Sequence, residues 1–159
     1  MTGSVPDGFR RLDVRDYFVG LVGPLWYKAE EDGLRIGLPL EQRHGNPMGV
    51  AHGGMLVTIA DMVMGVGSGF STGMFWPHPT ISLTSEFVRG AKLGQWLEGK
   101  ARIARRTLNF CFASCDLVCG GEIVLVASGV FKVPDPEKIP AAARAAALSP
   151  PWKSEPVSF

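Results

Sequence analysis

One apolar segment with helical spacing, set among strands, most constrains what this chain can fold into. Between Gly53 and Gly67 the apolar residues recur three and four positions apart, namely Met55, Leu56, Ile59, Met62, Val63 and Val66. These positions cover a broad surface, so the helix is expected to be mostly buried. Gly65, Gly67 and Gly69 loosen the helix, and we therefore place its end near Gly67.

Segments with strand patterns flank this helix. Two short strands are predicted before it, over 25–29 and 34–38, with Gly33 in the turn between them. Four strands follow, over 80–88, 95–104, 108–119 and 122–133, and Gly120-Gly121 is a two-residue hairpin signal. Consecutive strands joined by tight turns favour an antiparallel sheet. The prediction is an α+β fold, with an antiparallel β-sheet wrapped around one long central α-helix.

The 159 residues suit one domain, which we place over 1–133. Residues 1–12 are expected to form a loose arm. A short amphipathic helix is predicted over 13–21, with Asp13 as its N-cap and Gly23-Pro24 after its end. The Pro- and Ala-rich residues 134–159 are expected to be an accessory tail.

Composition and charge argue against several classes of partner. A net charge of +1 gives no general attraction to nucleic acid or acidic membranes. The most apolar window, 49–70, contains His52, Asp61 and six glycines, so we expect no membrane span. The N-terminus lacks the pattern of a signal peptide. Cys111, Cys115 and Cys119 are expected to be reduced structural thiols of a cytoplasmic protein.

Gly53 and Gly54 stand where the central helix begins. The first turn of a helix has N–H groups without internal partners, and glycine lets a ligand approach that backbone closely. Such a site can stabilise a carbonyl oxygen as negative charge develops on it. The alternative is that the two glycines only permit a tight turn or close helix–sheet packing.

Asp61 is a carboxylate within an apolar stretch. It is either a structural acid paired with an arginine or a base or nucleophile that lines a cleft. Asp61 lies eight residues beyond Gly53, roughly 12 Å along one helix. One helix can hardly bring both groups to one carbonyl, whereas two antiparallel helices related by a two-fold axis can. If both groups are catalytic, the chain is a homodimer with two composite sites.

Three further polar residues are candidates with ordinary alternatives. Asn46 could orient a water or a carbonyl, or be a turn residue before Pro47. His52 could be a base, but we favour a hydrogen-bonded residue at the helix start. Thr80 could point its hydroxyl into the cleft, or simply belong to its strand. A set of basic residues could bind phosphates or form a solvated strand face: Arg89, Lys92, Lys100, Arg102, Arg105 and Arg106.

This set of residues resembles a known family. The spacing of Asn46, Gly53 of a His-Gly-Gly, and Asp61, followed by a strand opening with Thr80, resembles the hotdog-fold acyl-CoA thioesterases. The similar subgroup is the phenylacetic-acid-pathway (PaaI-like) type, which includes relatives of mammalian acyl-CoA thioesterase 13. The segment FVRGAKLGQWLEGKARIARR also resembles a strand, turn and strand of this family. The resemblance covers about residues 20–133.

The resemblance implies a mechanism. The Gly53 N–H would polarise the thioester carbonyl, and Asp61 of the partner subunit would activate water or attack directly. Asn46 would help to place the carbonyl or the water, and Thr80 would hold the water. Dimers are implied, and tetramers made of two dimers. No cofactor or metal is implied.

The resemblance also implies where acyl-CoA binds. The acyl tail would lie in a tunnel at the dimer interface, lined by Met62, Phe70 and Phe87, and the nucleotide would lie near the basic residues. The residues expected to contact substrate are His52, Gly54, Met62, Phe87, Arg89, Arg105 and Arg106. Phe75 and Trp76, between helix and strand, are departures that can reshape the acyl pocket.

The leading hypothesis is a thioester hydrolase that acts on a small or medium acyl-CoA, aryl-acyl groups included. Ligand spacings for metals, dinucleotide or phosphate-binding glycine loops and a Gly-x-Ser-x-Gly elbow are absent from the sequence. One alternative is a hotdog enoyl-CoA hydratase or dehydratase, for which His52 and Asp61 are the candidate pair. The other is a non-catalytic acyl-CoA-binding module, in which Asp61 is dispensable.

Overall fold

The computed structural model describes residues 3–12, 18–73 and 78–141 of the chain. Its helices are α1 (Phe18–Val22) and α2 (Gly53–Thr72), and short 3₁₀ turns occur at Gln42–His44 and Pro136–Lys138. Its strands are β1 (Arg10–Leu12), β2 (Leu25–Glu30), β3 (Gly33–Pro39), β4 (Thr80–Phe87), β5 (Trp96–Arg106), β6 (Phe110–Cys119) and β7 (Glu122–Lys132).

The strands form one antiparallel sheet that wraps around α2. Their order is β1-β2-β3-β5-β6-β7-β4, so β4, which follows α2 in the chain, lies at the far edge beside β7. The buried face of α2, which includes Leu56, Ile59 and Val63, packs on β3, β5 and β6. This architecture confirms the α+β prediction of a sheet around one long helix.

The helix α2 ends later than its glycines suggest. It continues to Thr72 and stops at Gly73, whose φ of +64° is the left-handed conformation that glycine favours. Gly67 does not end the helix; it lies where α2 packs closely against β5. A Cβ added at Gly67 would lie 2.3 Å from the Cβ of Ala101 on β5. The end predicted near Gly67 was therefore wrong.

The N-terminal residues are more ordered than a loose arm. Arg10–Leu12 pair with β2 as strand β1, and the side chain of Leu12 is buried against the core. Burial of this leucine is the physical reason that the segment joins the sheet. The predicted N-cap Asp13, the aromatic residues Phe75 and Trp76, and positions 142–159 of the tail lie outside the described residues.

Both predicted tight turns are confirmed. Gly33 has a φ of +153°, and Gly120 and Gly121 have φ values of +59° and +86°. Two successive positive φ angles are what a two-residue hairpin of type I′ requires. These turns fix the register of β2 with β3 and of β6 with β7.

The three cysteines lie on the inner face of β6. Cys111, Cys115 and Cys119 are all buried and carry free thiols. Burial raises the pKa of the Cys115 thiol to about 12, and burial also raises the pKa of Cys119. The spacing of four thus places the thiols in the core, as predicted for structural cysteines.

Within the described residues, α2 has the length and composition of a helix that could cross a bilayer. In the fold it is the helix that the sheet encloses, and 44% of its most apolar window is buried. The core helix of a globular fold meets the same criteria of length and hydropathy.

Candidate active site

The loop before α2 is organised by a buried histidine, His44. Its Nδ1 accepts a hydrogen bond of 2.9 Å from the Glu41 N–H, which places the ring proton on Nε2. The Nε2–H donates to the carbonyl oxygen of Val22, the last residue of α1, at 2.7 Å. The backbone oxygen of His44 accepts from the N–H of His52 at 2.8 Å. His44 therefore joins the end of α1 to the beginning of α2.

His52 caps the helix α2. Its Nδ1 accepts from the Gly54 N–H at 3.0 Å, and its carbonyl oxygen accepts from the N–H groups of Met55 and Leu56. The N–H of Gly53 has no acceptor among the described residues. The cap thus satisfies the first turn except at Gly53, where an added Cβ would lie 3.1 Å from the ring of Phe87.

Asn46 stabilises the turn in the loop that leads to α2. Its Oδ1 accepts from the Met48 N–H at 2.9 Å, and its backbone exchanges hydrogen bonds with Gly49 and Val50. The side-chain oxygen is therefore engaged in the turn around Pro47, as the turn alternative predicted. The two side-chain N–H donors have no acceptor in the part of the chain that the structure describes, and they are the groups that could contact a substrate.

Asp61 lies on the half-buried face of α2, where its side chain meets β4. The Thr80 hydroxyl donates to Asp61 Oδ1 at 2.6 Å. Within the described residues, no arginine, lysine or histidine forms an ion pair with Asp61. The alternative of a structural acid locked to an arginine is therefore not what the structure shows. Thr80 holds one carboxylate oxygen, and Oδ2 has no hydrogen-bond donor among the described residues.

A cleft of about 420 Å³ opens beside Asp61. Its walls come from α1, α2 and β4, and its lining residues are Phe18, Val19, Val57, Thr58, Asp61, Met62 and Leu83. This volume lies in the range of about 300–1,000 Å³ that is typical of small-molecule sites. Met62, which was expected to line the acyl tunnel at the dimer interface, lines this cleft. Phe70 and Phe87 are not among its lining residues, and their place in a tunnel between two subunits stays a prediction.

The predicted site residues form two groups along α2. One group at the helix start contains His52, Gly53, Gly54 and Phe87, and the second contains Asp61 with Thr80 and Met62. Eight residues of helix, about 12 Å, separate Gly53 from Asp61. One chain thus holds a backbone donor and a carboxylate too far apart for one carbonyl. The same distance keeps His52 from pairing with Asp61 within a chain.

The basic residues Arg89, Arg105 and Arg106, which were candidates for phosphate binding or for a solvated strand face, do not form one patch on a single chain. Arg89 forms an ion pair with Glu122 near the start of α2. Arg106 lies at the other end, with its Nη1 3.5 Å from the carbonyl oxygen of Ser71. Eighteen residues of helix, about 27 Å, separate Gly53 from Ser71. Arg105 pairs in register with Phe112 on the outer face of the sheet. One chain therefore cannot present Arg89, Arg105 and Arg106 to the same nucleotide.

Sequence reasoning missed part of the cleft. Phe18 and Val19 of α1, Thr58 of α2 and Leu83 of β4 line it, but none of them was a candidate. The sequence signals a short helix around Phe18 without indicating what that helix packs against. His44, whose hydrogen bond to Val22 holds α1 beside α2, was not a candidate either.

His44 should make the stability of the protein depend on pH. Burial lowers the pKa of His44 below its usual 6.5, with Arg43 and Glu41 as its charged neighbours. The unfolded chain therefore binds a proton first as pH falls, so this contribution is present above about pH 6.5 and is lost as pH falls through the folded-state pKa. We expect the free energy of unfolding, measured by denaturant titration, to fall as the pH is lowered from about 6.5 toward the folded-state pKa of His44.

Two variants isolate this effect. His44→Gln removes the titrating group and should flatten this part of the pH profile. His52→Gln, a change at an exposed histidine, should leave it in place. Equal slopes in the wild type and in His44→Gln would show that His44 contributes nothing to the pH dependence.

Sequence comparison identifies the family. The Thioesterase superfamily model matches residues 48–126, a span that contains Gly53, Asp61 and Thr80. A Pseudomonas aeruginosa protein named "Putative esterase PA0474" is 35% identical over 132 residues, which are 82% of this chain and 98% of that protein. The chain belongs to the thioesterase superfamily, as its motif predicted.

Solved structures show the same fold. Zebrafish thioesterase superfamily member 2 matches with a TM-score of 0.68 and 20% identity, over 75% of this chain and 88% of that one. A phenylacetic acid degradation-related protein of Ralstonia eutropha JMP134 gives 0.65 and 27%, over 72% and 88%. A "hypothetical thioesterase protein with coenzyme A" of Streptococcus pneumoniae TIGR4 gives 0.62 and 20%, over 69% and 85%. These likenesses confirm the hotdog fold and its PaaI-like neighbours.

Proposed function

We propose that the protein is an acyl-CoA thioesterase, which hydrolyses a small or medium acyl-CoA to the free acid and CoA. The observation that carries this proposal is Asp61, a carboxylate on a cleft wall with a hydroxyl donor but no cation partner among the described residues. The superfamily membership and the coenzyme A bound to the S. pneumoniae neighbour support the same conclusion.

The working form in this proposal is a homodimer, because one chain holds only half of each site. Two apolar surfaces on the chain support it. A partly exposed stripe on α2 carries Met55, Met62 and Val66. The edge strand β4 and the residue after it expose more than half of the Ile81 and Val88 side chains. Exposed apolar patches and open strand edges are features of protein interfaces. A two-fold axis beside α2 would place the start of one helix beside the middle of its partner.

The chemistry then follows from the two groups. The thioester carbonyl oxygen accepts a hydrogen bond from the Gly53 N–H of one subunit, which stabilises the developing negative charge. Asp61 of the other subunit takes a proton on Oδ2 from a water, while the water oxygen bonds to the carbonyl carbon. The C–S bond then breaks, and the departing CoA sulfur receives the proton. Direct attack of Oδ2 on the carbonyl carbon is the alternative, and it requires an anhydride that water later cleaves.

A thioesterase assay over a panel of acyl-CoAs tests the activity directly, with thiol release as the readout. Release of CoA from none of them would refute the proposal. Binding of acyl-CoA without release would instead favour the acyl-CoA-binding module. Hydration of an enoyl-CoA without thioester cleavage would favour the hydratase.

Mixed dimers test the composite site. Asp61→Asn lacks the carboxylate and Gly53→Pro lacks the donor, so each homodimer should be inactive. A dimer with one subunit of each kind has one intact site and one doubly defective site. Co-expression should therefore restore about a quarter of wild-type activity, since half of the dimers are mixed and half of their sites are intact. No recovery in purified mixed dimers would show that both groups act within one subunit.

A further inference from the structure

We infer that α1 determines which acyl groups the protein accepts, with Phe18 as the residue that limits the acyl chain. The substrate class is an uncharged, apolar acyl group that lies along α2 in the cleft beside Asp61. This inference rests on the proposed thioesterase function.

The residues that line the cleft favour an uncharged, apolar acyl group. Among the described residues, seven line the cleft; five of these are apolar, and Asp61 is the charged one. The Thr58 hydroxyl already donates to the Gly54 carbonyl oxygen at 2.9 Å, so its proton is engaged. An acyl group that ends in a carboxylate would find no cation among these lining residues, and it would lie close to the Asp61 charge.

The cleft is also short. Its helical wall runs from Val57 to Met62, five residues or about 7.5 Å along the axis. Phe18 and Val19 line it from α1, and Leu83 lines it from β4. A long chain would have to displace the Phe18 ring or pass around it.

The position of α1 is fixed at its C-terminal end. The Val22 carbonyl oxygen accepts from His44, and the Gly23 carbonyl oxygen accepts from the Arg43 guanidinium. Val19 and Val22 pack against the core. Phe18 at the other end is 65% exposed, so the fold does not depend on burial of its ring. A large aromatic side chain held at a cleft wall without a core role suits contact with a ligand.

Phe18→Ala tests the inference, and Leu21→Ala is its matched control. Leu21 is on the same short helix, is 74% exposed and does not line the cleft. In Phe18→Ala, the ratio of kcat/KM for decanoyl-CoA to that for butyryl-CoA should rise about tenfold. In Leu21→Ala the ratio should equal that of the wild type. A Phe18→Ala ratio equal to the wild-type ratio would overturn the inference.

The preference for an uncharged acyl group is tested with a second pair of substrates. Succinyl-CoA has the carbon count of butyryl-CoA but ends in a carboxylate, and its kcat/KM should be at least about 100-fold lower. Equal turnover of the two would overturn the apolar substrate class.

Binding of non-hydrolysable thioether analogues separates this inference from the proposed function. If the wild type cleaves no acyl-CoA but binds butyl and decyl thioethers of CoA with a preference that Phe18→Ala shifts, the proposed function fails and the acyl site stands. If the wild type cleaves acyl-CoA and Phe18→Ala shifts neither preference, the inference alone fails. If the wild type neither cleaves acyl-CoA nor binds the thioethers, both the proposed function and the inference are refuted.

Discussion

The Asp61→Asn variant is expected to lose at least about 100-fold in kcat, the scale expected when a positioned base is removed. The amide keeps the shape of the carboxylate, and its oxygen can still accept the Thr80 hydrogen bond. It cannot take a proton from water at neutral pH. Steady-state thiol release measures the loss, and sedimentation and thermal unfolding should show an intact fold and dimer.

A matched control makes the same chemical change elsewhere. Asp116→Asn breaks an ion pair with Arg102 on the outer face of the sheet, and its activity should stay within about twofold of the wild type. Near-normal hydrolysis by Asp61→Asn would show that the carboxylate has no role in the mechanism.

The Gly53→Pro variant should lose about 100- to 1,000-fold in kcat, as when one oxyanion donor is removed. Gly53 is the first residue of α2, a position that tolerates proline because its N–H has no partner within the helix. His52 before it has a φ of −65° and a ψ of +135°, which suits a residue that precedes proline. The substitution thus removes the donor and leaves the helix in place, which circular dichroism can check.

Gly53→Ala separates the donor from steric crowding. A Cβ at this position lies 3.1 Å from the Phe87 ring, so alanine introduces that contact but keeps the N–H. We expect Gly53→Ala to retain most of the kcat that Gly53→Pro loses. Equal kcat in the two variants would mean that the loss comes from crowding against Phe87.

The fold was predictable where local patterns decide it. The apolar spacing of α2 and the hairpin glycines Gly120 and Gly121 carry their information within a few residues. The end of α2 was not predictable, because Gly67 looks like a helix breaker until Ala101 is seen packed against it. The strand β1 was missed for a similar reason, since three residues form a strand only when β2 is there to pair with them.

The candidate site was also predictable only in part. The donor at Gly53 and the lone carboxylate of Asp61 could be recognised because helix starts and apolar stretches are visible in sequence. The hydrogen bond from Thr80 to Asp61 joins residues on different elements. The wall formed by Phe18 depends on a bond from His44 to α1. Contacts of this kind follow from the packed chain, which periodicity alone does not describe.

The row of buried thiols on β6 has a practical consequence for enzymology. Chromogenic disulfide reagents react with thiolates, and the raised pKa and burial of Cys115 and Cys119 keep these sulfurs protonated and out of reach. The native protein should therefore react little with the reagent, so that the CoA released by turnover is measured against a low background. In a preparation that denatures, the cysteine thiols become accessible to the reagent, and the background reaction rises.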